Sequence, residues 1–122
     1  MAKILIVDDS NMQRDMIKFA LRDGGHTDII EASTGEDALK KANEHPFDLI
    51  ITDINMPGMN GFELVKQLRR MAVYEAKPIL VLTTESTDEM KLRGKAAGAT
   101  GWIIKPFAPA QLIKAISIAL SR

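Results

Sequence analysis

Cysteine is absent from this chain of 122 residues. That excludes a disulfide framework, a thiolate metal site and a cysteine nucleophile, and it leaves the chemistry to oxygen, nitrogen and hydroxyl groups. Long apolar runs are also missing, since none approaches the roughly 18 residues a membrane span needs. Met1 is followed within two residues by a strand-like run instead of a basic segment and an apolar signal region. The expectation is a cytoplasmic protein with no membrane association. Neither charge sign is in excess, with 16 Lys and Arg against 16 Asp and Glu, so no strongly basic face for nucleic acid is implied. Repeats, low-complexity stretches and Pro/Gly/Ser linkers are lacking as well, which makes residues 1–122 one unit.

The content is that of an ordinary globular domain: 46% apolar and 26% charged residues can bury a real core. At an average of about 150 residues per domain, a two-domain enzyme is not expected. The balanced charge hides an asymmetry. Residues 1–61 hold 6 basic and 11 acidic side chains, a sum of −5, and residues 62–122 hold 10 and 5, a sum of +5. Either an acidic site sits apart from a surface suited to acidic partners, or these are solvated helix faces.

Short β-rich runs occur at Lys3–Asp8, Thr27–Glu31, Phe47–Asp53, Pro78–Thr83 and Thr100–Ile104. Three are nearly continuous in Ile, Leu and Val, as strands buried on both faces of a parallel sheet are. Helical patterns alternate with them. Ser10–Asp23 places Met12, Met16, Phe19 and Ala20 on one stripe before Gly24-Gly25. Ser33 and Glu36 have capping-box spacing ahead of a helix to about Asn43. Further helices are expected over Phe62–Met71, Thr87–Ala97 before Gly98, and from Pro109 through Leu120. The methionines, Met12, Met16 and Met90 among them, are expected to fill core gaps, and His26 and His45 to lie in loops or at the surface.

Five βα units with right-handed crossovers give a doubly wound α/β fold, in which ligands bind beyond the carboxyl ends of the strands. The residues ending each strand are therefore the functional candidates. Strand one ends in Asp8-Asp9, which could simply cap the following helix. Adjacent carboxylates repel, however, and a divalent cation relieves that cost; an all-oxygen set favours Mg²⁺. Strand three ends in Asp53, ahead of a Pro/Gly loop in which it could be a turn residue. With a strand order of 2-1-3-4-5, strands one and three are neighbours, and Asp8, Asp9 and Asp53 converge within reach of one cation. Strand four ends in Thr83-Thr84, ordinary strand residues taken singly, and strand five in Lys105, which alone reads as a surface charge. Together these groups form an acidic metal site flanked by a hydroxyl and an ammonium that can hold a phosphoryl oxygen.

Four segments in this order, ILIVDDS at 4–10, DINMPGMNG at 53–61, LTTE at 82–85 and KPF at 105–107, resemble the receiver domain of bacterial response regulators. The likeness spans essentially the whole chain and is nearest the stand-alone chemotaxis regulators of the CheY type. It implies a flavodoxin-like (βα)5 fold with strand order 2-1-3-4-5. By this resemblance Asp53 is the phosphoacceptor toward a phosphohistidine of a kinase. Asp9, Asp53 and the Asn55 carbonyl are the direct Mg²⁺ ligands, and Asp8 acts through water. Thr83 turns toward the phosphoryl group, Lys105 pairs with one of its oxygens, and Lys105–Pro106 is a cis peptide. Trp102 stands where the family has a rotating aromatic, commonly Tyr or Phe. Asn55 and Glu85 match the chemotaxis type and are placed to meet an attacking water. Thr84 replaces a usually small residue, implying narrower access to the phosphoryl group.

The implied function is signal relay by a monomer. A histidine kinase would phosphorylate the chain, and its α4-β5-α5 face would then bind the flagellar motor switch or another output target, with a phosphatase as a possible further partner. No effector domain follows Arg122, so direct transcriptional control is not expected. A phosphorelay shuttle or phosphate sink is the near alternative. A small Mg²⁺-dependent phosphatase is more remote, since Asn55 stands where that chemistry wants a second Asp. A flavin binder would want hydroxyl- and Gly-rich loops in place of Asp8-Asp9. The chain is thus expected to be no enzyme beyond its own phosphorylation and dephosphorylation.

Overall fold

The computed structural model describes residues 1–121; Arg122, the last residue of the expected unit, lies outside them. The chain alternates β1 (Ile4–Val7), α1 (Asn11–Asp23), β2 (Ile29–Ala32), α2 (Gly35–Glu44), β3 (Leu49–Thr52) and α3 (Gly61–Arg70). A 3-10 turn at Ala72–Tyr74 follows, then β4 (Ile79–Thr83), α4 (Asp88–Ala97), β5 (Gly101–Ile104) and α5 (Pro109–Leu120). The five strands form one sheet in the order β2-β1-β3-β4-β5, and every pairing is parallel. This is the (βα)5 flavodoxin-like fold.

Alternation along each strand divides the core in two. Leu5, Val7, Ile50 and Val81 face a layer built from Ala38 and Ala42 of α2, Leu64, Val65 and Leu68 of α3, and Ala97 of α4. Ile4, Ile6, Leu49, Ile51, Leu80 and Ile103 face Ile17 and Leu21 of α1 and Leu112 and Ile116 of α5. Strands β1, β3 and β4 are buried at every position, which explains why their sequences are nearly continuous in aliphatic residues. Each such side chain contributes on the order of 1.5–3 kcal/mol by leaving water.

Two local expectations are corrected. On α1 the stripe toward the sheet is Ile17, Ala20 and Leu21. Met12, Met16 and Phe19 are 70%, 49% and 75% exposed, so of the expected stripe only Ala20 is buried. Both sets have helical spacing, and periodicity alone cannot choose between adjacent stripes. The helix is rotated so that Arg14 and Lys18 reach Glu31 of β2. Met90 is half-buried and packs against the core. On α2 the cap is Thr34, one residue beyond the expected Ser33, and its hydroxyl accepts from Asp37 N at 3.0 Å. Thr34 has the extended backbone a cap needs, and Ser33 is exposed.

Tyr74, in the unexpected 3-10 turn, is fully buried. Its hydroxyl lies 2.8 Å from the Ala42 carbonyl and 2.7 Å from the His45 carbonyl, and it accepts from Phe47 N at 3.2 Å. One phenol thus closes the end of α2 and the entry to β3. Tyr74→Phe would leave those backbone groups unpaired in the interior, so we expect a stability loss of about 2 kcal/mol in urea unfolding. A loss under about 0.5 kcal/mol would mean that water replaces the hydroxyl without cost.

Candidate functional site

Strands β1 and β3 stop together, and β4 and β5 run two residues further at the same edge of the sheet. Val7 pairs with Thr52 and Thr83 with Ile104. Backbone bonds carry this alignment one residue further: Asp8 N to Ala32 O at 3.2 Å, Asp53 N to Val7 O at 3.0 Å and Lys105 N to Thr83 O at 2.8 Å. Register alone therefore sets Asp8, Asp53, Thr83 and Lys105 along one edge of the sheet.

The side chains meet there. Lys105 Nζ donates to Asp8 Oδ2 at 2.6 Å and to Asp53 Oδ2 at 2.9 Å. The three side chains are 8%, 2% and 12% exposed, respectively, so all the partners are nearly out of water. Asp8 Oδ1 accepts from Ser10 N at 3.0 Å, and Asp53 Oδ1 from Ile54 N at 2.6 Å. Burial by itself would depress the Lys105 pKa, but the hydrogen bonds and charges of Asp8 and Asp53 outweigh it and hold the ammonium above its ordinary 10.5. A raised folded value means that this pairing stabilises fully at neutral pH and fades only as pH climbs through the alkaline range.

Around this bridge, Thr83 is buried and its hydroxyl accepts from Glu85 N at 3.3 Å. Asn55 Nδ2 donates to Glu85 Oε1 at 2.9 Å. Trp102 Nε1 donates to the Glu85 carbonyl, also at 2.9 Å. Thr84 is exposed beside them. The Lys105–Pro106 peptide is cis.

The acidic residues at this edge do not all take part in the bridge. Asp9 is exposed, and among the described residues no three His, Cys, Asp or Glu side chains come together as a metal cage. The Lys105 ammonium gathers Asp8 and Asp53, while Asp9, one residue further along the loop, stays exposed. The donor set still fits Mg²⁺, which commonly takes one or two carboxylates and keeps several waters. Two carboxylates on one ammonium also leave negative charge uncompensated.

Sequence reasoning missed several supports. Arg14 donates to the Asp8 carbonyl at 2.7 Å and to Glu31 at 3.0 Å, fixing the peptide that carries the two acids; a contact between α1 and β2 leaves no local signal. The Asp8 to Ser10 N bond was legible as an Asp bonding backbone two residues on. A groove of about 1250 Å³ lies at the opposite, amino-terminal end of the strands, against Asp48, Pro78 and Thr100. None of Asp8, Asp53, Thr83 or Lys105 lines that groove.

The model of the response regulator receiver domain family matches residues 4–117. The chain belongs to this family. It is homologous to chemotaxis CheY proteins: it is 44% identical to the CheY homolog of Campylobacter jejuni, over 92% of this chain and 86% of that protein. The structure of CheY4 from Vibrio cholerae superposes with a TM-score of 0.93 at 49% identity, covering 98% of this chain and 99% of that one. The transcriptional regulatory protein YvrH of Bacillus subtilis is 41% identical, over 99% of this chain and 50% of that protein. Receiver domains carry out phosphoryl chemistry on themselves and are not enzymes acting on external substrates. Histidine kinases and output targets are their generic partners. Among the described residues no helix is long and apolar enough to cross a membrane.

Removing the ammonium strands two nearly buried carboxylates. Lys105→Met is expected to cost about 3 kcal/mol in metal-free buffer at neutral pH. Millimolar Mg²⁺ should raise the Tm of this variant more than that of the native chain, because the cation replaces the lost charge. Equal Mg²⁺ shifts in both proteins would show that the cation does not take over the role of the lost ammonium.

Proposed function

We propose that residues 1–122 act as one receiver unit of a response regulator whose phosphoacceptor is Asp53. The observation that supports this best is the Lys105 bridge to Asp53 at 2.9 Å and Asp8 at 2.6 Å at the carboxyl edge of a doubly wound sheet. Phosphoryl transfer asks mainly for positioning and for positive charge beside the transferring oxygens. An Asp53 oxygen attacks the phosphorus of a kinase phosphohistidine. The P–N bond breaks as the P–O bond forms, and the imidazole leaves with the electron pair.

Lys105 Nζ, already against Asp53, pairs with a phosphoryl oxygen. Asp8, Asp9, Asp53 and the Asn55 carbonyl would hold Mg²⁺, which neutralises charge on the phosphoryl oxygens when bound. The Thr83 hydroxyl, held by Glu85 N, swings to donate to another oxygen. That frees the Glu85 peptide whose carbonyl holds Trp102, and so biases the face made by α4, β5 and α5 toward its target-binding state. The Asn55–Glu85 pair stands where water meets the acyl phosphate and keeps the signal short, with exposed Thr84 at the rim. The chemotaxis names of the CheY relatives support a chemotaxis kinase as donor and the flagellar motor switch as target.

Intact mass after incubation with a small phosphodonor and Mg²⁺ should show one added phosphoryl group, absent in Asp53→Asn and with EDTA. Gain in the Asn variant would overturn the assignment. Asn55→Ala and Glu85→Ala should still be phosphorylated, with decay slowed about tenfold, the scale of 1.4 kcal/mol in a barrier; unchanged decay in both would remove them from the water's path.

A further inference from the structure

Gly94 lies inside α4 with no positive φ, so nothing in its backbone calls for glycine, and alanine would be the better helix former. Its reason is spatial. A Cβ at this position would stand 2.5 Å from Cζ3 and 2.7 Å from Cε3 of Trp102. No real Cβ tolerates such contacts with a ring, so the missing side chain is a notch in α4 that the indole fills. The indole also stacks on Phe62 of α3, with ring centroids 6.3 Å apart at 25°, and Arg93 caps Phe62 at 4.2 Å. The ring thus packs against both α3 and α4.

Seated there, Trp102 points Nε1 at the Glu85 carbonyl, 2.9 Å away. The side chain of the same Glu85 receives Asn55 Nδ2 at 2.9 Å, and Asn55 N lies 3.4 Å from Asp53 Oδ1. An unbroken set of contacts therefore runs from the α4 notch to the Asp53 carboxylate.

We infer that Gly94 is a positioning residue for the phosphoacceptor site: by seating Trp102 it fixes Glu85, and through Glu85 it fixes Asn55, so the residue at position 94 sets how long a phosphoryl group on Asp53 survives. The inference rests on the reading of Asp53 as phosphoacceptor. It couples α4 to the site in both directions, since anything that moves α4 moves the seat of the indole.

The test is a cycle of Gly94→Ala, Trp102→Leu and the double variant in the full chain. The first readout needs no phosphate. Because Trp102 is the only Trp, its emission should shift to the red in Gly94→Ala and its acrylamide quenching should rise about twofold. The second readout is the decay of the phosphorylated chain, which Gly94→Ala should slow by at least about twofold, the low end of coupling between contacting residues. In the Trp102→Leu background, where the smaller side chain leaves room for a Cβ, Gly94→Ala should change decay by less than that. Unchanged indole emission and quenching would overturn the notch. A decay change of equal size with and without the indole would show that Gly94 acts through α4 alone and overturn the inference. A native chain that takes up no phosphoryl group overturns the phosphoacceptor reading, while the emission arm still decides the notch.

Discussion

Two carboxylates share one ammonium at the edge of the sheet, and much of this molecule is arranged around that contact. Asp8 comes from the end of β1, Asp53 from β3 and Lys105 from β5, so the Lys105 side chain must reach past β4 to its partners. The register helps: β1 and β3 stop together, and β4 and β5 run two residues further, which carries Lys105 beyond the end of β3 and lets its side chain fold back over that edge. The three groups are nearly dry; their mutual attraction is strong there, and so is the cost of leaving any of them alone. Charge in this set is unbalanced toward the negative, which is a stable arrangement with an appetite for a cation.

The surroundings of the bridge are held from two directions. From β2 and α1, Arg14 and Glu31 fix the Asp8 peptide. From β5 and α4, Trp102 reaches the Glu85 carbonyl, and Glu85 reaches Asn55. The Glu85 backbone is a junction: its N–H donates to the Thr83 hydroxyl and its C=O accepts from the indole. A group that draws Thr83 away must disturb the junction, and the junction is tied to a helix on the surface. These few bonds run from the Asp53 carboxylate through Asn55 and Glu85 to Trp102 beside α4.

Most of the fold was legible in the sequence because its strands are buried on both faces. Runs such as Ile4–Val7 and Ile79–Leu82 leave no other reading once helical patterns separate them. The site candidates were legible for a related reason: a doubly wound sheet gathers its functional groups at strand ends, so Asp8, Asp53, Thr83 and Lys105 could be named by position. Surface helices were read less well. On α1, Met12, Met16 and Phe19 have the spacing of a core stripe, yet Ile17, Ala20 and Leu21 were chosen by the packing of the helix against the sheet. Tyr74 was silent, since its partners lie some thirty residues earlier in the chain.

By itself the sequence determined which residues are strands and helices, which ends carry acid, hydroxyl and ammonium, and to which family the chain is similar. These follow from short-range patterns of burial and chain geometry. Only the tertiary structure decided that Asp8 and Asp53, without Asp9, share Lys105, that Asn55 pairs with Glu85 across 30 residues, and that Gly94 is empty to admit Trp102. Each is a matter of which side chain occupies a given few ångströms. That is set by how the strands and helices pack together, and it leaves no periodicity along the chain.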